Sequence, residues 1–275
     1  MLAFSRPSTF REWAWLGLAT VWLGAWLEPS GTVVEQLLRA AGVLVTGAFL
    51  AVSLGWRAPL FRRAVAAVGL AGAALVLWCV ALRLDWHELK TAAAREVARS
   101  FADLARQADA AGGDDTGDLL RQMADGAPMW ATLMPALLFL NALAGVVLGW
   151  WLYHRIAKRP LGDPPAPFAM FRFSDQAVWL PVAGLALVLL HAPPEVHDAG
   201  GNLLLVAMAL YAARGLAVVG AGAGRLPRVT AAFVTVVALF LLPFVVGGLT
   251  LLGLADTWLD FRRRPASPAT GGFDR

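Results

Sequence analysis

Uncharged residues in this chain gather into seven long apolar blocks instead of alternating with polar ones. The runs are Trp13–Leu27, Ala40–Trp56, Ala64–Leu82, Gly126–Tyr153, Gln176–Leu190, Ala199–Gly224 with Arg214 as its one charge, and Val229–Ala255. A helix needs about 20 residues to cross roughly 30 Å of hydrocarbon. The third, fourth, sixth and seventh blocks reach that length outright. The first, second and fifth must borrow flanking residues or sit in locally thinned bilayer. Backbone polar groups in lipid must be satisfied within the segment, which selects helices here. The pattern therefore predicts an all-α, polytopic transmembrane bundle of about seven spans.

One stretch follows a different rhythm. Trp86, Leu89, Ala93, Val97, Phe101, Leu104 and Ala108 recur every three or four residues, the signature of an amphipathic helix. Ala110–Gly117 interrupts it with three glycines and acidic residues, and Leu119, Leu120 and Met123 begin a shorter helix. This predicts a helical hairpin that caps the bundle or lies on the membrane surface; a lid or partner-binding element is the sharper alternative. The chain then divides into three N-terminal spans (1–83), the amphipathic segment (84–128), the C-terminal spans (129–261) and a basic tail (262–275). Pro160, Pro164, Pro165 and Pro167 mark an extended linker.

Local signals add detail. Arg6 and Arg11 precede the first block as in a signal peptide, but no small-x-small cleavage site follows, so a retained helix is expected. Thr32 and Glu35 have capping-box spacing, and Glu35 and Arg39 sit one turn apart. Trp13, Trp26, Trp56, Trp130, Trp150, Trp151 and Trp179 fall near block ends, where indole rings favour the headgroup region. Neither a cofactor nor a stacking role is expected for them.

Composition supports the membrane reading. The 275 residues are 59% hydrophobic and only 15% charged, against about 25% in soluble domains. Heavy use of Ala, Gly and Arg, with Lys90 and Lys158 the only lysines, points to a bacterial source. The single cysteine, Cys79, excludes an intrachain disulfide. The high pI does not imply nucleic acid, because the arginines lie in short loops between blocks.

Those loops set the orientation. An inside N-terminus puts Arg6, Arg11, Arg57, Arg62, Arg63, Arg155, Lys158, Arg159, Arg172, Arg225 and Arg228 in the cytoplasm. The long Arg83–Asp125 segment, with six basic and nine acidic residues, is then outside. A bacterial inner membrane follows. The tail conflicts with this scheme, since seven spans put Arg262-Arg263-Arg264 outside. Either the charge rule fails at the last helix, or Val229–Phe261 folds as a tight helical pair broken at Pro243 or Gly247-Gly248.

Candidate chemistry is sparse. No hydrolase elbow, phosphate loop or zinc-protease motif is present, so neither an enzyme nor a cofactor is expected. His191, Glu195, His197 and Asp198 share one loop and are weak candidates for a divalent metal, but Pro193 and Pro194 are explained by a turn alone. Small residues at four-residue spacing, Gly69/Ala73, Gly145/Gly149 and Ala217/Ala221, suit close helix packing within the bundle or against another membrane subunit.

Polar residues at mid-span carry the most information. Asn141 is central in the fourth block and Arg214 in the sixth. Arg214 is thirteen positions from Gly201 and eleven from Arg225, roughly 16–20 Å from either end at 1.5 Å per residue. A charge at that depth costs at least about 2.5–3.5 kcal/mol. No carboxylate lies at mid-depth, because Asp256 is at the end of the last block. Arg214 is therefore expected near Tyr211 and Asn141, bonded to carbonyls and Asn141 or receiving an anionic ligand.

The second half carries a recognisable order of segments. Met134-Pro135-Ala136-Leu137 leads to Asn141-Ala142-Leu143-Ala144, and Phe171-Arg172-Phe173-Ser174 enters the next span. Tyr211-Ala212-Ala213-Arg214-Gly215 and Leu254-Ala255-Asp256-Thr257-Trp258-Leu259-Asp260-Phe261-Arg262 follow. Over about residues 129–264 this resembles the YybS-like family of bacterial membrane proteins, itself distantly similar to the substrate-binding subunits of energy-coupling-factor transporters. The resemblance implies a helical bundle holding a ligand near its outer face, though no ligand-binding residue of those subunits carries over. Two functions follow as expectations: a transporter-type subunit binding a small solute, or a structural or assembly protein of the envelope. The expected partners are the lipid bilayer and other membrane subunits.

Overall fold

A computed structural model describes residues 1–26, 31–223 and 241–262. Among them are nine α-helices: α1 (Phe10–Trp26), α2 (Val33–Gly55), α3 (Leu60–Ala81), α4 (Trp86–Ala110), α5 (Asp114–Asp125), α6 (Ala127–Ile156), α7 (Trp179–Leu189), α8 (Pro194–Ala223) and α9 (Leu242–Leu259). No strand occurs among the described residues. Val34–Gly55, Leu60–Ala81, Ala127–Ile156, Pro194–Gly222 and Leu242–Leu259 are long and apolar enough to cross a membrane. The shorter α1 and α7 stand where the first and fifth blocks begin. Large apolar side chains such as Leu70, Leu77, Val80 and Leu148 point outward, as lipid contact requires. The chain is a polytopic helical membrane protein.

The helix starts follow local chemistry. At α2 the Thr32 hydroxyl accepts from the Glu35 N–H at 3.3 Å, and the Glu35 carboxylate accepts from the Thr32 N–H at 3.2 Å. Arg39 stands 3.9 Å from Glu35. Asp85 caps α4 by accepting from the His87 N–H at 2.9 Å. Pro243 occupies the first turn of α9, and Gly247 and Gly248 lie inside that helix. No break falls at the two glycines, whereas α9 starts beside Pro243, where proline fits a first turn because its missing N–H costs nothing; the rest of the helical pair expected over 229–261 lies outside the described residues at 229–240.

The chain forms two compact units, Met1–Pro165 with Gly184–Val206, and Ala166–Ala183 with Ala207–Arg275. In the first unit the amphipathic hairpin is docked. Ala93 of α4 packs with Val34 of α2 and Ala131 of α6, flanked by Leu38 and Met134. Lys90 Nζ reaches the Asp198 carboxylate at 2.5 Å. The predicted stripe holds at Ala93 but ends differently: Ala105 is buried and Leu104 is exposed. The α5 residues Leu119 and Met123 are exposed as well.

Two polar devices hold this unit together. Asn202 of α8 is inserted against α6. Its Oδ1 accepts from the Ala136 N–H at 2.9 Å and its Nδ2 donates to the Thr132 carbonyl at 2.7 Å. These are the groups a helix pairs with each other, in the turn that Pro135 weakens. The second device is Glu12, just before the first apolar block. Its carboxylate accepts from the N–H groups of Ser8, Thr9 and Lys158 at 2.8–2.9 Å and from the Thr9 hydroxyl. These bonds, that from Lys158 foremost, hold its pKa down at about 2.

Candidate functional site

The second unit contains the buried arginine singled out by the sequence. Arg214 is 1% exposed. Its Nε donates to Asp256 Oδ2 at 2.9 Å, its Nη2 to the Asp256 carbonyl at 3.1 Å, and its Nη1 to Asp175 Oδ1 at 3.2 Å. Arg262 Nη2 donates to the same Asp256 Oδ2 at 2.7 Å, and its Nη1 donates to the Ala169 and Phe171 carbonyls. Arg172 pairs with Asp260. Three arginines thus meet three aspartates. The Arg214 guanidinium also lies 5.4 Å from the Phe173 ring centre, and that ring stands edge-on to Tyr211.

Of the partners expected for Arg214, a carbonyl is present, that of Asp256, and two carboxylates that were not expected join it. Asn141 is an exposed residue of α6, in the first unit. Depth had been counted along one helix alone. In the fold, Met208 bonds Thr250, the Tyr211 carbonyl approaches Gly253, and Arg214 bonds Asp256. Each pair is separated by the same number of residues (250 − 208, 253 − 211 and 256 − 214 all give 42). Contacts that advance together mean that α8 and α9 run parallel here. Asp256, one turn before the end of α9, is thereby brought level with Arg214. The carboxyl ends of the two helices consequently face the same way.

Glycine makes this approach possible. A Cβ built on Gly253 would overlap the Tyr211 carbonyl oxygen, and one on Gly215 would overlap that of Leu249. Only glycine lets two backbones come so close. The predicted small-residue steps behave otherwise. Ala217 is fully buried, but a Cβ built on Gly69, Gly145 or Gly149 would meet nothing within 4 Å beyond its own helix among the described residues.

Among the described residues, Asp256 Oδ1 and Arg262 Nε are enclosed without a hydrogen bond, and the Tyr211 and Thr257 hydroxyls are enclosed close to each other. Buried polar atoms in native structures are nearly always paired. The cluster therefore has spare capacity, with an anionic acceptor and an N–H donor unused among the described residues. Arg214 is neutralised unequally. Asp256 is completely buried, whereas Asp175 is 70% exposed at its side chain.

The weak metal candidates do not converge. Asp198 is held by Lys90, and the His197 Nδ1 sits against the Val188 carbonyl. Among the described residues no three metal-ligating side chains gather. Sequence reasoning missed Asp175, Asp256 and Arg262 around Arg214, and Asn202 on α6. Pro135 inside an apolar block was the available signal for Asn202, because it demands an outside partner for the disrupted turn.

No curated protein and no solved structure matches the chain. A family model described as "Predicted membrane protein (DUF2232)" matches residues 10–257, which takes in the N-terminal helices as well as the second half. With nearly its whole length matched and its apolar helices on view, the chain belongs to the DUF2232 family of membrane proteins.

Proposed function

We propose that this protein is a transporter-type membrane subunit that binds a small anionic solute at Arg214. One observation carries the reading. A fully buried guanidinium shares its charge between a buried carboxylate, Asp256, and a largely exposed one, Asp175, beside enclosed polar atoms that have no partner. Ionisable groups inside membrane helices usually mark a solute or ion path. A carboxylate from a solute takes the place of Asp175 on Nη1, and Asp256 Oδ1 with the two hydroxyls orients its remaining polar groups. The YybS-like resemblance around Arg214 and Asp256 supports the same reading. The test is thermal melting of the detergent-purified protein with acetate, succinate or glutarate against chloride at equal ionic strength. At least one carboxylate should raise the melting temperature, more so in Asp175→Asn and not in Arg214→Gln. Flat responses from both the wild type and Asp175→Asn would refute the site.

The same proposal places the protein in a bacterial inner membrane with its N-terminus inside. Support comes from the eleven basic residues that this orientation keeps in the cytoplasm. The parallel course of α8 and α9 adds to it, because Arg262 then shares a side with the end of α8, as the charge rule asks. With Cys79 replaced, single cysteines at Ala111 and Gly162 are exposed to an impermeant thiol reagent on spheroplasts. Labelling of Ala111Cys alone is expected, and labelling of Gly162Cys alone reverses the topology.

A second reading, an assembly protein of the envelope, is favoured by the open space at Gly69, Gly145 and Gly149, where an added Cβ would meet nothing within 4 Å among the described residues. Co-purification from native membranes separates the two. An ATPase and a coupling subunit support transport, and an envelope-biogenesis complex supports assembly.

A further inference from the structure

The first unit also buries an arginine, and this one meets no carboxylate. Arg63 lies in the first turn of α3 and is 7% exposed. Its guanidinium rests 4.6 Å from the centre of the Trp150 ring. Trp150 had been expected at the headgroup level, yet it is 2% exposed and forms a platform inside the unit. Phe49 meets it edge-on at 5.8 Å, and Tyr153 and His154 pack beside it.

The platform's own polar groups are committed. Trp150 Nε1 donates to the Asp163 carbonyl at 3.2 Å. The Tyr153 hydroxyl accepts from the Leu161 N–H at 2.7 Å, and His154 Nε2 faces the Gly162 carbonyl. The loop at 161–163 is thus pinned over the ring, and none of these groups is left for Arg63.

Arg63 itself is different. Among the described residues its guanidinium has neither a hydrogen-bond acceptor nor an ion-pair partner, and its Nε is enclosed. Asp163 is near enough to act on it electrostatically, yet no contact within 4.0 Å forms. Arg11, Arg39, Arg214 and Arg262 all have oxygen partners. A stacked guanidinium keeps its planar fork for a two-oxygen acceptor. The position adds to the field. Pro59 starts α3 without a side-chain cap, so the positive end of the helix dipole is unopposed. Arg57 and Arg62 are exposed alongside. The site stands at the end of an apolar span, Leu60–Ala81, which is the depth of lipid phosphates.

We propose that Arg63, held on Trp150, is a receptor for a phosphate group, presented by an anionic phospholipid headgroup or by free phosphate. Two phosphate oxygens take the guanidinium fork, and the first turn of α3 faces the charge.

Thermal melting of the detergent-purified full chain tests this with phosphatidylglycerol, with phosphatidylcholine and with sodium phosphate, in wild type, Arg63→Gln and the exposed neighbour Arg62→Gln. Phosphatidylglycerol should raise the melting temperature of wild type and of Arg62→Gln. In Arg63→Gln its half-maximal concentration should rise at least tenfold. If sodium phosphate reproduces the shift, the source is free phosphate; if only the lipid does, the source is the headgroup. Equal responses of Arg63→Gln and wild type overturn the proposal, as does a wild type that responds to none of the three. Should Arg63→Gln fail to accumulate, Arg63→Lys replaces it. Lysine keeps the charge and lacks the fork, so a several-fold weaker response is expected, and an unchanged one overturns the site.

Discussion

The two helical units handle polar groups among apolar helices differently. The second unit sets charge against charge, with Arg172, Arg214 and Arg262 on Asp175, Asp256 and Asp260. The first turns buried polar side chains on the backbone, with Glu12 on amides of Ser8, Thr9 and Lys158 and Asn202 on the Pro135 turn of α6. Its buried arginine is left to an aromatic ring. A side chain bound to backbone fixes a helix in place, since its partner cannot turn away. An ion pair with one exposed member can exchange that member. The contrast assigns exchange to the unit whose buried arginine meets carboxylates and fixed geometry to the unit whose buried polar side chains hold backbone.

The largest expected effect comes from Asp256→Leu. It leaves two guanidiniums sharing no buried carboxylate, and removing one partner of a buried pair costs about 3–5 kcal/mol. Abundance and melting temperature should fall sharply. Asp175→Asn, at an exposed position, should cost under about 1 kcal/mol. Equal losses in thermal melts would remove the distinction between buried and exchangeable counter-ions.

Asn202 sharpens the other side of the contrast. Asn202→Leu withdraws an acceptor from Ala136 N–H and a donor from the Thr132 carbonyl, at about 1–3 kcal/mol for each group left unpaired. Asn141→Leu replaces an exposed amide in an apolar span and should be neutral or better. If Asn141→Leu proves the more damaging, α6 is held by contacts other than those at Pro135.

A smaller difference is expected on α4. Phe101→Asp puts a charge into the docked stripe and should lower stability by about 1–3 kcal/mol. Arg99→Gln removes only an exposed pair with Glu96 at 3.6 Å and should change it by under about 0.5 kcal/mol. Melting curves of the two variants check the docking of the hairpin.

The subtlest effect depends on pH. The folded pKa of Glu12, about 2, lies below its ordinary value of 4.5, so its contribution is complete above pH 4.5 and is lost as pH falls toward 2. Wild type should lose melting temperature through that window faster than Glu12→Gln, which has no carboxylate to protonate. Parallel slopes would mean that the clasp at Lys158 adds nothing.

Much of this fold was legible because lipid forces long apolar runs, and because Thr32 with Glu35 is a local device that needs no tertiary information. Arg214 was legible as a buried charge for the same reason. Its partners were not, because depth along α8 says nothing about which residue of α9 stands beside it. That registration is set by Gly215 and Gly253, whose close approach depends on two surfaces at once. Trp150 misled through averages: most indoles at span ends seek the interface, but this one is enclosed by Phe49, Tyr153 and the 161–163 loop. Asn202 sits near the start of α8, far in sequence from the Pro135 turn it serves.

The Glu12 clasp has a consequence for the order in which the chain is made. Ser8 and Thr9 reach the carboxylate as soon as the first helix leaves the ribosome, but the Lys158 amide emerges 146 residues later. At a translation rate of about 5–20 residues per second, the amino-terminal helix waits roughly 7–30 s for its last tether. Until then its entrance is closed only by its own neighbours. The same bond that later joins the beginning of the chain to the end of α6 marks the moment when the first six helices have all been delivered.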